Sequence, residues 1–406
     1  MTGKGYFTLR TNCGSIVRRL HMFDNMKQQL FLFATCFTAS TTGHGFLVNP
    51  TARNAVDKDL PLFHNVSTGL PIWPVDSKGT PGCYPTHGSC GCYCGNGTTP
   101  CLSAQSCFWF SQGCTIGCPT CDGNSPRAFR DLCGRGMNAT ICDSRLRTYA
   151  MTAECNTDAD RYRYNPWRAP GKAPVFDPCG KAGGGVNASS AAHPQGAAFF
   201  TNTTHNVIGD LGSVVLPEMP SMASWKIGSV VEATWAMRAN HGGGYQYRLC
   251  SKTDALTEAC FQASPIPFVG NQSLLFDNGV RVPIQSAYAT VNGIGYFTND
   301  GQSPKGATWA RNPIPDNCQA GSKDCTGKTE FTPPCVEPYL LTGTTVGDEL
   351  PSGGYCSGER PFNVAIIDAL RIPKDIVAGE YVLGFRWDCE ETAQVWSTCA
   401  DITIVE

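Results

Sequence analysis

Two histidines, His44 and His241, stand where their neighbours would make them metal ligands. His44 lies in Thr41-Thr42-Gly43-His44-Gly45-Phe46, directly behind a stretch with the order of a cleavable secretion signal. Arg18, Arg19 and Lys27 precede an apolar run from Gln29 to Phe37, and the small or polar residues 39–43 follow it. Nine apolar residues are too few to span a bilayer, which takes roughly 20. Cleavage after Gly43 makes His44 the first residue of the mature chain. An N-terminal histidine offers a metal two nitrogens, its α-amine and its imidazole. The amine ordinarily titrates at roughly 7.7–8.0, so a metal displaces its proton near neutrality. His241 is the expected source of a third nitrogen. It follows the strand-like Val230 to Trp235 and precedes Gly242-Gly243-Gly244, which let the backbone turn sharply and leave the metal face open. A flat set of three nitrogens suits Cu(II), which tops the affinity series of the divalent first-row ions.

Such a site needs strands to carry it, and the sequence supplies them. Val214 to Leu216, Val230 to Trp235, Tyr245 to Leu249, Asn363 to Ile367, Tyr381 to Trp387 and Ala400 to Ile404 are strand-length runs separated by turn residues. The only amphipathic helical stretch of note is Ser144 to Glu154. Short strands with long loops predict an all-β fold, a two-sheet sandwich of the immunoglobulin or fibronectin kind with long disulfide-stapled loops. The chain stops within or directly after a strand, which predicts no appended module or tail anchor at that end.

The chain has 406 residues, 16% of them charged, and a formal charge of −2. There is no basic excess to suggest nucleic acid and no span to suggest a membrane. Residues 1–43 read as the signal, with Met22 or Met26 as a shorter alternative start, and 44–406 as the mature domain. Of 23 cysteines, twelve crowd between Cys83 and Cys155, a segment read as a loop-rich, disulfide-stapled insertion. Its Cys90-x-Cys92-x-Cys94 and Cys118-x₂-Cys121 spacings lack the repeated pair of a zinc ribbon. Cys250 with Cys260, and Cys389 with Cys399, have the look of local disulfides. Six N-x-S/T sequons, at Asn65, Asn96, Asn138, Asn187, Asn202 and Asn271, fit a secreted, extracellular glycoprotein.

His44-Gly45 with Pro50 and Arg53, then Trp235 and Ala239-x-His241, then the block from Arg386 to Ile402, resemble the lytic polysaccharide monooxygenases, closest to their chitin-binding type 4 branch. The likeness covers the start of the mature chain and roughly residues 214–406. It implies that His44 and His241 hold copper, with Ala239 beside the open coordination position. It implies that Gln394 hydrogen-bonds oxygen at the metal and that Trp396 takes the axial place. There the sequence departs from the family, which carries Tyr or Phe, and an indole has no oxygen ligand to offer. The implied function is oxidative cleavage of glycosidic bonds in chitin or cellulose by a secreted enzyme. Its partners would be an insoluble polysaccharide and an external electron donor. Sugar rings would stack on aromatics around the copper, for which Trp109, in Phe108-Trp109-Phe110, and Tyr84 are the first choices, with Trp73, Tyr164 and Trp167 behind them.

Two alternatives share these residues. One is a secreted carbohydrate-binding or matrix glycoprotein without turnover, and the other a copper-binding protein without a polysaccharide substrate. No pair of carboxylates is spaced for glycoside hydrolysis in an arguable way.

Overall fold

Runs of β-branched and aromatic residues whose burial favours a shared interior assemble here into two sheets packed face to face. The computed structural model describes residues 44–57, 109–111, 166–168, 170–184, 205–239, 242–270, 272–276, 281–283, 297–298, 307, 309–312, 364–389 and 394–406. The strands in chain order are β1 (His44–Asn49), β2 (Trp109–Ser111), β3 (Lys181–Ala182), β4 (Ser224–Lys226), β5 (Val230–Ala239), β6 (Gly244–Ser251), β7 (Ser273–Phe276), β8 (Arg281–Pro283), β9 (Phe297–Thr298), β10 (Trp309–Arg311), β11 (Val364–Arg371), β12 (Gly379–Asp388) and β13 (Val395–Val405). One sheet has the order β1-β5-β11-β7-β8, the other β3-β2-β13-β12-β6-β10-β9 with β4 beside β13. Apart from the parallel β4–β13 pair, the pairings are antiparallel. The expected all-β sandwich is therefore what the chain forms.

Between the sheets lies an aromatic core. Trp235 of the smaller sheet meets Tyr245, Phe385 and Trp387 of the larger at ring-centroid distances of 4.6, 5.2 and 5.4 Å. Leu47, Ile366, Leu370, Leu383, Ile402 and Ile404 complete it. Period-two alternation then directs Gln246, Arg248, Arg386, Asp388, Ser397 and Asp401 to the opposite face of the larger sheet. Elementary patterning gives such residues to solvent, yet all six are fully buried. Residues 170–184 and helix α2 (Glu258–Ala263) lie over Arg248, Arg386, Asp388 and Ser397, while Arg53, Met219 and Lys252 meet Asp401, and ion pairs make the burial tolerable. Arg386 is bonded to Asp388, to Glu258 and to the Ala173 carbonyl, while Arg248 shares Glu258. Burial alone would raise the Glu258 pKa, but the two guanidiniums hold it below the usual range.

Three local expectations are corrected. Val214 to Leu216 does not form a strand: Val214 and Val215 belong to a single helical turn, α1 (Gly212–Val215). The Asp177 carboxylate accepts from the Ser213 N–H at 2.9 Å and from the Ser213 hydroxyl, which satisfies the start of the turn. The stretch around Trp109 is not an exposed loop but strand β2, paired to β13 on one side and β3 on the other. An inner strand is covered on both sides, and all three of its residues are buried.

The third correction concerns cysteines. Cys250 and Cys260 are bridged as expected, but Cys399 is bonded to Cys179, 220 residues away in sequence. Strand register explains why Cys389 is not its partner. Cys399 lies opposite Gly384 on β12. Cys389 is five residues further along, about 17 Å at roughly 3.3 Å per residue, whereas a disulfide needs Cα atoms within about 7 Å. The signal segment, the sequons, the helical stretch 144–154 and most of the cysteine-rich insertion lie outside the described residues.

Candidate functional site

The first residue of β1 meets the last residue of β5. His44 lies opposite Ala239 in the antiparallel ladder, followed by a register shift and then Gly45 opposite Met237. Ala239 is two residues before His241. Backbone pairing thus brings the candidate mature terminus beside the strand that leads into the second histidine. His241 itself, and the side chains of His44 and Ala239, are outside the described residues.

The residues that follow His241, Gly242 and Gly243, both have positive φ, at 60° and 74°. This left-handed backbone is one that a side chain strongly disfavours, so the glycines are what let the turn close. The Gly242 carbonyl accepts from the Trp387 indole N–H at 2.8 Å, and the Gly243 carbonyl from the Asn312 N–H at 2.8 Å. Two directed bonds therefore hold Gly242 and Gly243, the residues that follow His241, to the larger sheet. On the other side, the Trp387 ring presses against Gly45, where an added Cβ would overlap Cε3 and sit 2.7 Å from Cζ3.

The edge strand β1 is tied to the second sheet twice more. The Leu47 N–H donates to Thr398 Oγ1 at 3.0 Å. Further on, Arg53 forms a two-pronged ion pair with Asp401, 2.8 and 2.6 Å, in a site closed to solvent. Both acceptors lie on β13.

Of the remaining expected site residues, Gln394 and Trp396 come together. Both are buried, and Gln394 Oε1 accepts from the Trp396 indole N–H at 3.1 Å. Trp396 stacks on Phe110 at 4.5 Å and lies opposite Trp387 across the β12–β13 ladder. Trp109, expected to offer a sugar-stacking face, is fully buried among Phe46, Ala182, Leu216 and Ala236. Trp167 is fully buried as well, with its ring 6.3 Å from that of Trp309. Neither exposes a ring on which a sugar could stack. Tyr84, Trp73 and Tyr164 are outside the described residues.

Reasoning from sequence missed a polar cluster in the middle of the sandwich. Asp368 on β11 accepts from Tyr245 and Tyr247 of β6 at 2.8 and 2.9 Å, and from Gln272 at 2.6 Å. Burial pushes its carboxyl up to about 6, although the three donors pull the other way. The available signal was one acid inside the apolar run Val364-Ala365-Ile366-Ile367-Asp368-Ala369-Leu370.

Among the described residues no group of three or more His, Cys, Asp or Glu is placed to hold a metal, and no helix is long and apolar enough to cross a membrane. No family model matches the chain, and no curated protein matches it. Solved structures do align with it. A lytic polysaccharide monooxygenase from Thermobia domestica in the Cu(I) state is 14% identical, over 46% of this chain and 63% of that one, with a TM-score of 0.22. A chitin binding domain from Burkholderia pseudomallei is 11% identical over 90% of this chain and all of its own, with a TM-score of 0.27. A lytic polysaccharide monooxygenase from Streptomyces lividans is 13% identical over 53% and 71%, with a TM-score of 0.20. At such scores these likenesses carry no argument about what this chain does.

Proposed function

We propose that the chain is a secreted, copper-dependent polysaccharide monooxygenase that cleaves glycosidic bonds of chitin or cellulose oxidatively. The observation that carries this reading is the pairing of His44 with Ala239, two residues before His241. A mature terminus at His44 would offer its amine and ring nitrogen, and His241 a further ring nitrogen, a donor set whose chemistry suits Cu(II). Copper, when bound, supplies the one-electron chemistry by which dioxygen or peroxide removes a hydrogen beside a glycosidic bond, with electrons from an external donor.

The chain's own residues hold and orient. His44 and His241 would hold the metal through their nitrogens, and Ala239, paired with His44, would leave the approach to it uncrowded. Gln394, whose side-chain oxygen accepts from the Trp396 indole, would be the polar group offered to oxygen at the site. The buried aromatic floor under β1 keeps water out from below. Trp109 has no part in substrate contact in this reading.

One observation favours a second reading, a copper- or carbohydrate-binding glycoprotein without turnover. Trp396, which the resemblance would put in the axial place, is stacked on Phe110 and bonded to Gln394, and an indole has no oxygen ligand to offer. The test is intact-mass and N-terminal sequencing of the secreted protein, then Cu(II) titration and product analysis on chitin and cellulose. A chain starting at His44, tight copper binding lost in His241→Ala, and oxidised oligosaccharides support the enzyme. Copper binding without oxidised products moves the protein to the second reading, and a different N-terminus removes both copper readings.

A further inference from the structure

We infer that Trp387 is a positioning residue that sets the spacing between the two histidine-bearing segments. Its one rigid bicycle touches the residue after His44 and, through its N–H, the residue after His241. The inference rests on the function proposed above and adds a residue to it.

The argument is one of directed contacts. Trp167, Trp235, Trp309 and Trp387 are all fully buried, yet the indole N–H groups of Trp167, Trp235 and Trp309 have no hydrogen-bond partner among the described residues. That of Trp387 is aimed at the Gly242 carbonyl, 2.8 Å away, in a turn of positive φ rather than in a strand. A core ring present only to fill space does not need that bond. On its other edge the same ring occupies the volume where any residue but glycine at 45 would place its Cβ. The ring has nowhere to move. Trp235 packs on it at 5.4 Å, and Tyr245 and Trp396 stand opposite it on the two neighbouring strands. Close-packed interiors pass such constraints on with little loss. A shift of the indole must therefore displace Gly45, Gly242 or both, and with them the backbone on which each histidine is carried.

Groups that orient a metal ligand without touching the metal commonly account for about 10- to 100-fold in affinity. The experiment compares wild type, Trp387→Phe, Gly45→Ala and Trp225→Phe, each correctly processed. Trp225 is a core tryptophan on β4 beside Ile404, eight residues along β13 from Trp396. For each protein the thermal midpoint without metal, the Cu(II) dissociation constant and the electron paramagnetic resonance spectrum of the Cu(II) form are measured. Trp387→Phe and Gly45→Ala are expected to weaken copper binding about tenfold or more and to shift the g and hyperfine values. Trp225→Phe is expected to lower the midpoint comparably and leave both copper readouts unchanged. If Trp387→Phe fails to fold, Gly45→Ala, which keeps the indole, decides the matter. Wild-type affinity and spectrum in the folded variants overturn the positioning role while leaving the proposed function standing. A wild type that binds no copper through three nitrogens overturns both.

Discussion

Arg53 meets Asp401 inside the protein, where Lys252 and the Met219 N–H also reach the same carboxylate. Removing the Asp401 charge strands the buried Arg53 guanidinium, which costs about 3–5 kcal/mol, far more than an exposed ion pair contributes. Burial would raise the Asp401 carboxyl, but hydrogen bonds from Arg53, the Met219 N–H and Lys252 more than offset that and hold it below the usual range. A carboxylate with a depressed folded-state pKa contributes stability above its unfolded pKa and loses it as pH falls through the folded one. Acid therefore weakens this tie between β1's extension and β13. Asp401→Asn is expected to lower the unfolding free energy by about 3 kcal/mol at neutral pH, read from the urea midpoint at unchanged slope. A loss below about 1 kcal/mol would mean that Arg53 reaches water in the folded variant.

At the scale of elements, β13 does the most joining. It pairs with β12, β2 and β4, accepts from Leu47 and Arg53, and carries the Cys399 end of the long disulfide. That bridge closes 220 residues of chain, whereas Cys250–Cys260 closes ten. Loop-closure entropy grows with the logarithm of length, so the long bridge restricts the unfolded chain more by about 2–3 kcal/mol. The double variant Cys179→Ala/Cys399→Ala is expected to lose more stability than Cys250→Ala/Cys260→Ala in denaturant titration. The reverse order would show that native packing at α2, where Cys260 sits, outweighs chain entropy.

For the whole molecule, the Asp368 cluster ties one sheet to the other, since its donors Tyr245 and Tyr247 belong to the opposite layer. Its linkage has the sign opposite to that of Asp401. A folded-state pKa raised from 3.8 to about 6 contributes stability that is fully present below 3.8 and lost as pH rises through about 6. Asp401 and Glu258, both held low, work in the other direction. The contribution of Asp368 is therefore isolated by comparison with Asp368→Asn. Between pH 4 and pH 6 the thermal midpoint of the wild type is expected to fall relative to that variant. Parallel pH profiles would show that Asp368 stays ionised throughout, held by its three donors.

Much of this was legible along the chain. Alternating apolar and aromatic residues with turns between them placed β5, β6, β11, β12 and the end of β13, because a half-buried strand imposes a period of two on its side chains. Glycines after His241 and the signal-like order before His44 marked both candidate ligands through local chemistry alone. Other features depend on which distant segments meet. Whether Trp109 faces water or a neighbouring strand is decided by β13, nearly three hundred residues later. Val214 and Val215 turn into a helix because Asp177 arrives at its start. The pairing of Cys399 follows strand register, and the charges at 248, 386 and 388 are buried because separate segments lie over them. The opposition of His44 and Ala239, and the indole wedged behind both histidine segments, are likewise matters of register. Local residue type determines a period and a turn. Register and coverage come from the free energy of burying whole faces together, and only the assembled sandwich settles that.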